Sequence, residues 1–175
     1  AFANVINLID GLDGLAAGIT AISAVAILVF AVITDRPDAA VFAVLLLGAC
    51  IGFLKDNFYP ASIFMGDSGA LLLGFSLGII SLFAVARSAL FVSLLVPILA
   101  AGVPILDTFF AIIRRKREHK PIDAADKGHI HHRLMRAGFS QRATVLIMWA
   151  WTIMLAACGM VVTVADNLVR IPIYL

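Results

Sequence analysis

The sequence predicts an all-α fold, a polytopic membrane helical bundle with about five transmembrane helices and a short cytoplasmic helix around residues 128–137. Two observations support this prediction. Hydrophobic residues make up 62% of the chain and charged residues only 14%, and the mean hydropathy of +1.05 lies outside the range of soluble globular domains. Five charge-free runs also approach the roughly 20 residues that a membrane-spanning helix needs; they cover residues 14–34, 39–54, 68–86, 88–106 and 143–165.

The basic residues predict how the bundle is oriented. Nine of the thirteen Lys and Arg residues lie between the fourth and fifth runs, and basic connections stay on the cytoplasmic side. Residues 1–13, 55–67 and 114–142 should therefore face the cytoplasm, while 35–38, Arg87 and the C-terminus face outward. Eight of the eleven acids also lie on or near the cytoplasmic side, which the positive-inside rule does not require. We interpret them as part of a cytoplasmic site.

The first segment carries a polar residue at every third position. Asn7, Asp10 and Asp13 would step round a helix by about 60° each and occupy one sector, so that their side chains converge. Gly11 and Gly14 would let a backbone or a ligand approach closely. The alternative is a frayed helix entry in which Asp13 caps the following span and Asp10 is only solvated. Because amides and carboxylates recur at the same helical spacing, we favour the interpretation that these residues form a functional site.

A second polar segment, residues 64–69, separates the second and third apolar runs. Asp67 or Ser68 is predicted to be the N-cap of the third span. A helix N-terminus suits an anionic phosphate, and a carboxylate beside it is where Mg²⁺ would be held. A simple cap without further function is the alternative. Asn57 and Phe64 flank this segment and could offer an amide and a ring face to a flat ligand.

The fourth run ends on an acid, Asp107. An ionisable residue within a span indicates either a structural pair or a functional role. Arg114 and Arg115 follow one or two helical turns later, so an ion pair with them and a role in the site are both open.

The segment after the basic cluster contains three histidines in four residues, and we predict that it is helical. One helix face would be cationic and suited to phosphate, and it would carry His129, His132, Arg133 and Arg136. The opposite face would pack on the protein, and it would carry Ile130, Leu134 and Ala137. A zinc site is the alternative for the histidines, but no cysteine and no obvious fourth ligand lie nearby.

Four motifs, in this order, resemble the polyprenyl-phosphate N-acetylhexosamine-1-phosphate transferases. The motifs are Asn-x-x-Asn-x-x-Asp-Gly-x-Asp-Gly-Leu-Ala at 4–16, Phe-Met-Gly-Asp-Ser-Gly at 64–69, Pro-Ile-Leu-Asp-Thr at 104–108 and Asp-Lys-Gly-His-Ile-His-His-Arg-Leu at 126–134. The His-x-His-His-Arg-Leu form is similar to the N-acetylglucosamine-1-phosphate branch of this superfamily, which also includes the phospho-MurNAc-pentapeptide translocases.

The resemblance implies a membrane enzyme that transfers an N-acetylhexosamine 1-phosphate, GlcNAc-1-phosphate first of all, from a UDP-sugar to undecaprenyl phosphate. UMP is released, and Mg²⁺, or else Mn²⁺, is the expected cofactor. The expected location is the bacterial inner membrane, multi-pass, with the active site on the cytoplasmic face. The expected partners are the UDP-N-acetylhexosamine, undecaprenyl phosphate and membrane lipids, with a homodimer as an option and no nucleic acid.

The family pattern also implies roles for single residues. Asp67 is expected to bind the metal, and Asp10 and Asp13 to line the nucleotide-sugar pocket with Asn7. The expected uracil-binding positions are Asn57 and Phe64. The histidines expected to contact phosphate or sugar are His129, His131 and His132, and the neighbouring arginines assigned to substrate binding are Arg133 and Arg136.

One departure from the family pattern is important. The family has an Asp-Asp pair in an upstream inner loop, and residues 1–175 contain no Asp-Asp. The chain also starts at Ala1, so we expect a single membrane domain that forms the C-terminal half of a longer enzyme and is inactive alone. A divalent-cation transporter or channel lined by the acids, and a non-catalytic membrane scaffold, are the alternatives.

Overall fold

The computed structural model describes residues 2–85, 98–99, 101–117 and 129–170, and within these ranges the regular structure is helical throughout. The helices are α1 (Phe2–Ile9), α2 (Leu15–Ile33), α3 (Pro37–Asn57), α4 (Gly66–Val85), α5 (Gly102–Arg117), α6 (Ile130–Arg136) and α7 (Gln141–Arg170). The predicted all-α membrane bundle is confirmed.

Four of these helices are long and apolar enough to cross a membrane. They are Leu15–Ile33, Pro37–Asn57, Gly66–Ala84 and Gln141–Val162, and they correspond to the first, second, third and fifth predicted runs. The fourth predicted span, 88–106, falls mostly on residues 86–97 and 100, outside the described part of the chain. The shortest run, 39–54, lies within a helix of 21 residues.

The bundle is built around α2. Within its apolar window 67% of α2 is buried, against 17% of α3 and 28% of α7, because α3, α4 and α7 all pack on it. The outer faces of those three helices expose large apolar side chains such as Val44, Leu45, Leu72, Leu82 and Ile153. Apolar faces of this kind are stable in contact with lipid.

α1 lies directly against α4. A Cβ atom added at Gly74 would come within 2.6 Å of both the Cα of Ala3 and the carbonyl oxygen of Phe2. Only a residue without a side chain allows the two backbones to approach so closely. This contact fixes α1, and therefore the polar segment that follows it, relative to the start of α4.

A small apolar cluster joins the helices at one end of the bundle. Its buried members come from α1, α2, α5 and α7, and they are Ile9, Leu15, Ile19, Val103, Val145 and Met148. Leu134 of α6 and Phe58, which follows α3, pack against it. Each fully buried aliphatic side chain contributes about 1.5–3 kcal/mol, so this cluster is a stable platform beneath the polar residues described next.

Candidate active site

The segment between α1 and α2 is a tight turn, and this corrects the prediction that Asn7, Asp10 and Asp13 share one helix face. α1 ends before the first acid, and the N–H of Gly11 donates to the last carbonyl of α1 at 2.7 Å. Gly14 is left-handed, with φ 76°, which glycine adopts without strain. Asp10 and Asp13 therefore lie in a turn, residues 10–14, which we call the acid turn, while Asn7 stays on α1.

Asp13 does not cap α2, so the alternative considered from sequence, in which Asp13 is the cap of the following span, is wrong. The N-cap is Gly14, with no side-chain hydrogen bond, and Oδ2 of Asp13 accepts from the N–H of Ala61 at 3.2 Å. The buried Asn57 makes a second link, since its Oδ1 accepts from the N–H of Gly14 at 3.0 Å and its Nδ2 donates to the carbonyl of Ile63 at 2.9 Å. The acid turn is thereby tied to the loop between α3 and α4.

The same loop is held from α7 as well. Nε of Arg142 donates to the carbonyl oxygen of Tyr59 at 3.2 Å, and the guanidinium carbon lies 5.6 Å from the centroid of the Tyr59 ring, within cation–π range. The carbonyl oxygen of Asp56 also accepts from the N–H of Ser62 at 2.8 Å. Contacts from the acid turn, from α7 and within the loop itself therefore position the loop that leads to Phe64.

α4 begins at Gly66, so Asp67 lies in its first turn and neither Asp67 nor Ser68 is the N-cap. The helix was predicted to begin one or two residues too late, since α4 already includes Gly66. Gly66 has a φ of 64°. An acid in the first turn is still favourable, since the N-terminus of a helix carries a partial positive charge. Asp67 is exposed, and its carboxylate is accessible to a ligand.

These elements enclose a cleft of about 330 Å³, which we call the acid cleft. It is lined by Asp10, Gly11, Leu12, Asp13, Asn57, Phe64, Met65, Gly66 and Asp67. Five residues assigned to the site from sequence therefore meet there, although they come from three segments of the chain. Phe64 is 76% exposed and offers its ring at the rim. Asn7 is not among the lining residues, and its buried Oδ1 has no hydrogen-bond partner in the described structure.

None of the residues that line the acid cleft is basic. Burial raises the pKa of Asp10 above its ordinary value, and the nearby carboxylate of Asp67 raises this pKa further. Two carboxylates that repel each other across a cleft are stabilised when a cation lies between them. The electrostatics therefore fit a positively charged ligand.

The donor set fits Mg²⁺ better than zinc. Among the described residues there is no group of three or more His, Cys, Asp or Glu side chains that could hold a metal ion, so the three histidines do not form the zinc site considered from sequence. Mg²⁺ is commonly held by one or two carboxylates together with the phosphates of a substrate. Asp67 and Asp10 supply such a partial set.

Residues 129–132, here called the histidine segment, form the N-cap and the first turn of α6. The predicted helix around 128–137 is present but shorter, and residues 118–128 lie outside the described part of the chain. Asp107 binds its start: Oδ2 lies 2.9 Å from Nδ1 of His129, and Oδ1 accepts from the N–H of Ile130 at 2.8 Å. Asp107 is thus paired with the histidine segment, while the side chains of Arg114 and Arg115 fall outside the description.

The predicted faces of α6 need correction. His129 is buried against Asp107 and does not lie on the cationic face, whereas Arg133 and Arg136 are exposed as expected. Leu134 packs on the small apolar cluster of Ile9, Leu15 and Val145, but Ala137 is exposed. The tertiary contact with Asp107, which periodicity cannot reveal, turns the first histidine inward.

His131 is the most enclosed of the three rings, with 1% of its surface exposed. It stacks parallel to His129, with centroids 5.7 Å apart, and lies 4.3 Å from the ring of His132. Burial, reinforced by His132, lowers the pKa of His131 to about 4, so the ring is neutral at physiological pH. A Cβ at Gly11 would come within 2.8 Å of its Nε2, so His131 lies directly against the acid turn.

The class of the protein follows from comparison with known families. Residues 1–85 match the sequence profile of glycosyl transferase family 4. This part of the chain, α1 to α4, is therefore similar to that family, and it contains every residue that lines the acid cleft.

Three individual relatives show which kinds of transferase the chain is similar to. The chain is 45% identical over 146 residues to a probable undecaprenyl-phosphate N-acetylglucosaminyl 1-phosphate transferase of Bacillus subtilis, covering 83% of this chain and 41% of the relative. It is 43% identical over 167 residues to a decaprenyl-phosphate N-acetylglucosaminephosphotransferase of Mycolicibacterium smegmatis, covering 85% and 41%. It is 36% identical over 169 residues to a phospho-N-acetylmuramoyl-pentapeptide-transferase of Moorella thermoacetica, covering 91% and 48%.

These relatives confirm the family predicted from the four motifs, which is a family of glycosyl-1-phosphate transferases. The chain spans less than half the length of these three relatives. A membrane-embedded transferase family agrees with the four apolar helices.

Proposed function

We propose that the chain is part of an enzyme that transfers an N-acetylhexosamine 1-phosphate, in first place GlcNAc-1-phosphate, from a UDP-sugar to undecaprenyl phosphate at the cytoplasmic face of the bacterial inner membrane. The observation that carries the proposal is the acid cleft, where Asp10, Asp13 and Asp67 converge at one end of the bundle. The relatives named for N-acetylglucosamine transfer, at 45% and 43% identity, are also more similar than the pentapeptide transferase at 36%.

The proposed reaction joins two anions. An ionised oxygen of the lipid phosphate forms a bond to the β-phosphorus of the UDP-sugar, and the bond from that phosphorus to the bridging oxygen breaks, so that UMP leaves with the bridging oxygen. Such a reaction depends on charge neutralisation and on alignment of the reacting groups. The enzyme must therefore place positive charge beside the pyrophosphate.

Different residues would bind the cation, the uracil and the phosphates. Asp67 and Asp10 would hold Mg²⁺, or Mn²⁺, which supplies positive charge for the pyrophosphate when bound. The free N–H groups at the start of α4 favour an anion at the same place. The exposed ring of Phe64 offers a face on which a uracil can stack, and the side-chain amide of Asn57 lies beside it. The exposed Arg133 and Arg136 of α6 are suited to phosphate.

The test is an exchange assay on membranes that contain the full-length protein. Labelled UMP should exchange with the lipid-linked product when Mg²⁺ is present, and Asp67→Asn should reduce the rate at least about 100-fold because a charged ligand for the cation is lost. Asp38→Asn, at an exposed acid in the first turn of α3, is the matched control and should keep the native rate.

Three results would contradict the proposal. Native exchange in the Asp67→Asn membranes would exclude the role given to this carboxylate. Divalent-metal flux into liposomes that does not depend on a UDP-sugar would favour a transporter instead. The non-catalytic scaffold is tested by the native membranes themselves, which would then show no exchange.

A further inference from the structure

Asp107 is buried, with 3% of its surface exposed, and both of its carboxylate oxygens bind the histidine segment. Oδ2 lies 2.9 Å from Nδ1 of His129, and Oδ1 accepts from the N–H of Ile130 at 2.8 Å. A buried carboxylate is costly unless it is fully paired. Its two bonds therefore hold this segment, 22 residues further along the chain, firmly on α5.

The first bond determines where His129 carries its proton. An ionised carboxylate can only accept a hydrogen bond, so Nδ1 of His129 must be the protonated nitrogen. In the neutral ring Nε2 is then the atom that can accept a proton. A carboxylate that orients an imidazole in this way is a recurring device for preparing a base or a phosphate-binding histidine.

The second bond determines where α6 begins. The N–H of Ile130 is one of the first N–H groups of α6, which have no acceptor within the helix. Asp107 satisfies it from another helix, so the first turn of α6 and the ring of His131 are placed relative to α5.

These two bonds act on the acid cleft through a row of rings. His129 stacks on His131 with an interplanar angle of 4°, and His131 in turn lies against Gly11 of the acid turn. Both ring nitrogens of His131 are buried without a hydrogen-bond partner among the described residues. The row therefore ends beside Gly11 with a neutral imidazole whose hydrogen-bonding capacity is not used by the described residues.

We propose that Asp107 is a positioning residue for the transfer reaction. It fixes the Nδ1–H form of His129 and the start of α6, and so places the ring of His131 against Gly11 of the acid turn, next to the cleft where the phosphates of the substrate would lie. What the histidines contact rests on the function proposed above. The proton position and the anchoring of α6 do not, and they can be measured without turnover.

The first experiment compares Asp107→Asn with Asp107→Ala in the full-length protein. The asparagine variant can still accept from the N–H of Ile130, but its NH₂ group can only donate to Nδ1 of His129, which reverses that bond. We expect kcat for the exchange to fall about 10- to 100-fold, with KM for the UDP-sugar changed less than about threefold. Trypsin should cleave at the exposed Arg133 and Arg136 as slowly as in the native protein, but faster in the alanine variant. Asp38→Asn is again the control.

The second experiment reads the proton position directly, by nitrogen-15 spectroscopy of histidine-labelled full-length protein in bilayers. The His129 signal, assigned by its loss in His129→Gln, should be that of an Nδ1–H ring in the native protein and of an Nε2–H ring in Asp107→Asn. Because this measurement needs no turnover, it tests whether Asp107 sets the proton position of His129 even if the native protein shows no exchange and the proposed function fails.

Two outcomes would overturn the inference. Native kcat together with a retained Nδ1–H signal in Asp107→Asn would mean that the carboxylate does not set the state of His129. Trypsin cleavage of the asparagine variant as fast as that of the alanine variant would mean that Asp107 only stabilises the fold.

Discussion

At the scale of single residues, burial shifts two ionisable groups near the acid cleft in opposite directions. It raises the pKa of Asp10 and lowers that of His131 to about 4. In both cases the charged form is disfavoured, because the protein replaces water around the group. Shifts of this kind are common where a site is prepared for a charged ligand.

The raised pKa of Asp10 has a consequence for stability. The folded protein holds the proton on Asp10 more tightly than the unfolded chain, so the free energy of unfolding falls as the pH rises above the ordinary pKa of an aspartate. Asp10→Asn removes this loss. In divalent-free buffer at pH 7 we expect an apparent melting temperature higher than native by up to about 4 °C, with a smaller gain at pH 4.

Thermal unfolding of the detergent-solubilised protein at both pH values tests this prediction, with Asp38→Asn as the control at an exposed acid. A melting temperature of Asp10→Asn below the native value at pH 7 would show that the Asp10 carboxylate stabilises the fold. That result would contradict the electrostatic strain described for the acid cleft.

At the scale of elements, the long helices could be predicted from the sequence and the short polar connections could not. A span is set by about 20 apolar residues in a row, and this signal is local. The acid turn was predicted as a helix because Asn7, Asp10 and Asp13 have helical spacing, but Gly11 and Gly14 end the helix. The inward position of His129 depends on Asp107, and no periodicity reports a contact between separate helices.

The contact between α1 and α4 can be tested through Gly74. A methyl group there would meet backbone atoms of Phe2 and Ala3, which cannot move aside as a flexible side chain would. We expect Gly74→Ala to destabilise the protein by about 1–3 kcal/mol and to lower exchange activity, because the acid turn moves with α1. Gly52→Ala is the matched control, since nothing lies within 4 Å of a Cβ at that helical glycine.

Thermal unfolding and the exchange assay are measured on both glycine variants. Equal stability of Gly74→Ala and Gly52→Ala would mean that α1 is not held against α4 at this distance. Reduced stability with native activity would separate the helix contact from the site.

At the scale of the whole molecule, one end of the bundle is polar and the spans are apolar. Composition and the four motifs were sufficient to predict the membrane bundle, the family and five of the residues that line the acid cleft, although Asn7 does not line it. The arrangement of those residues in space was not predictable, because it depends on loops that are connected by hydrogen bonds of Asn57, Asp13 and Arg142. The chain spans 41% of the length of its Bacillus subtilis relative, so the function of the whole protein is tested on the full-length protein.

The central claim is that the acid cleft holds a divalent cation together with a sugar nucleotide. Mn²⁺ binding to the full-length protein, followed by electron paramagnetic resonance with and without UDP-GlcNAc, tests it most directly. Because the protein supplies only a partial donor set, we expect the nucleotide to tighten Mn²⁺ binding at least about tenfold, and Asp67→Asn to abolish this gain while Asp38→Asn retains it. Mn²⁺ binding that is the same with and without the nucleotide, or in the presence and absence of the Asp67 carboxylate, would contradict the claim.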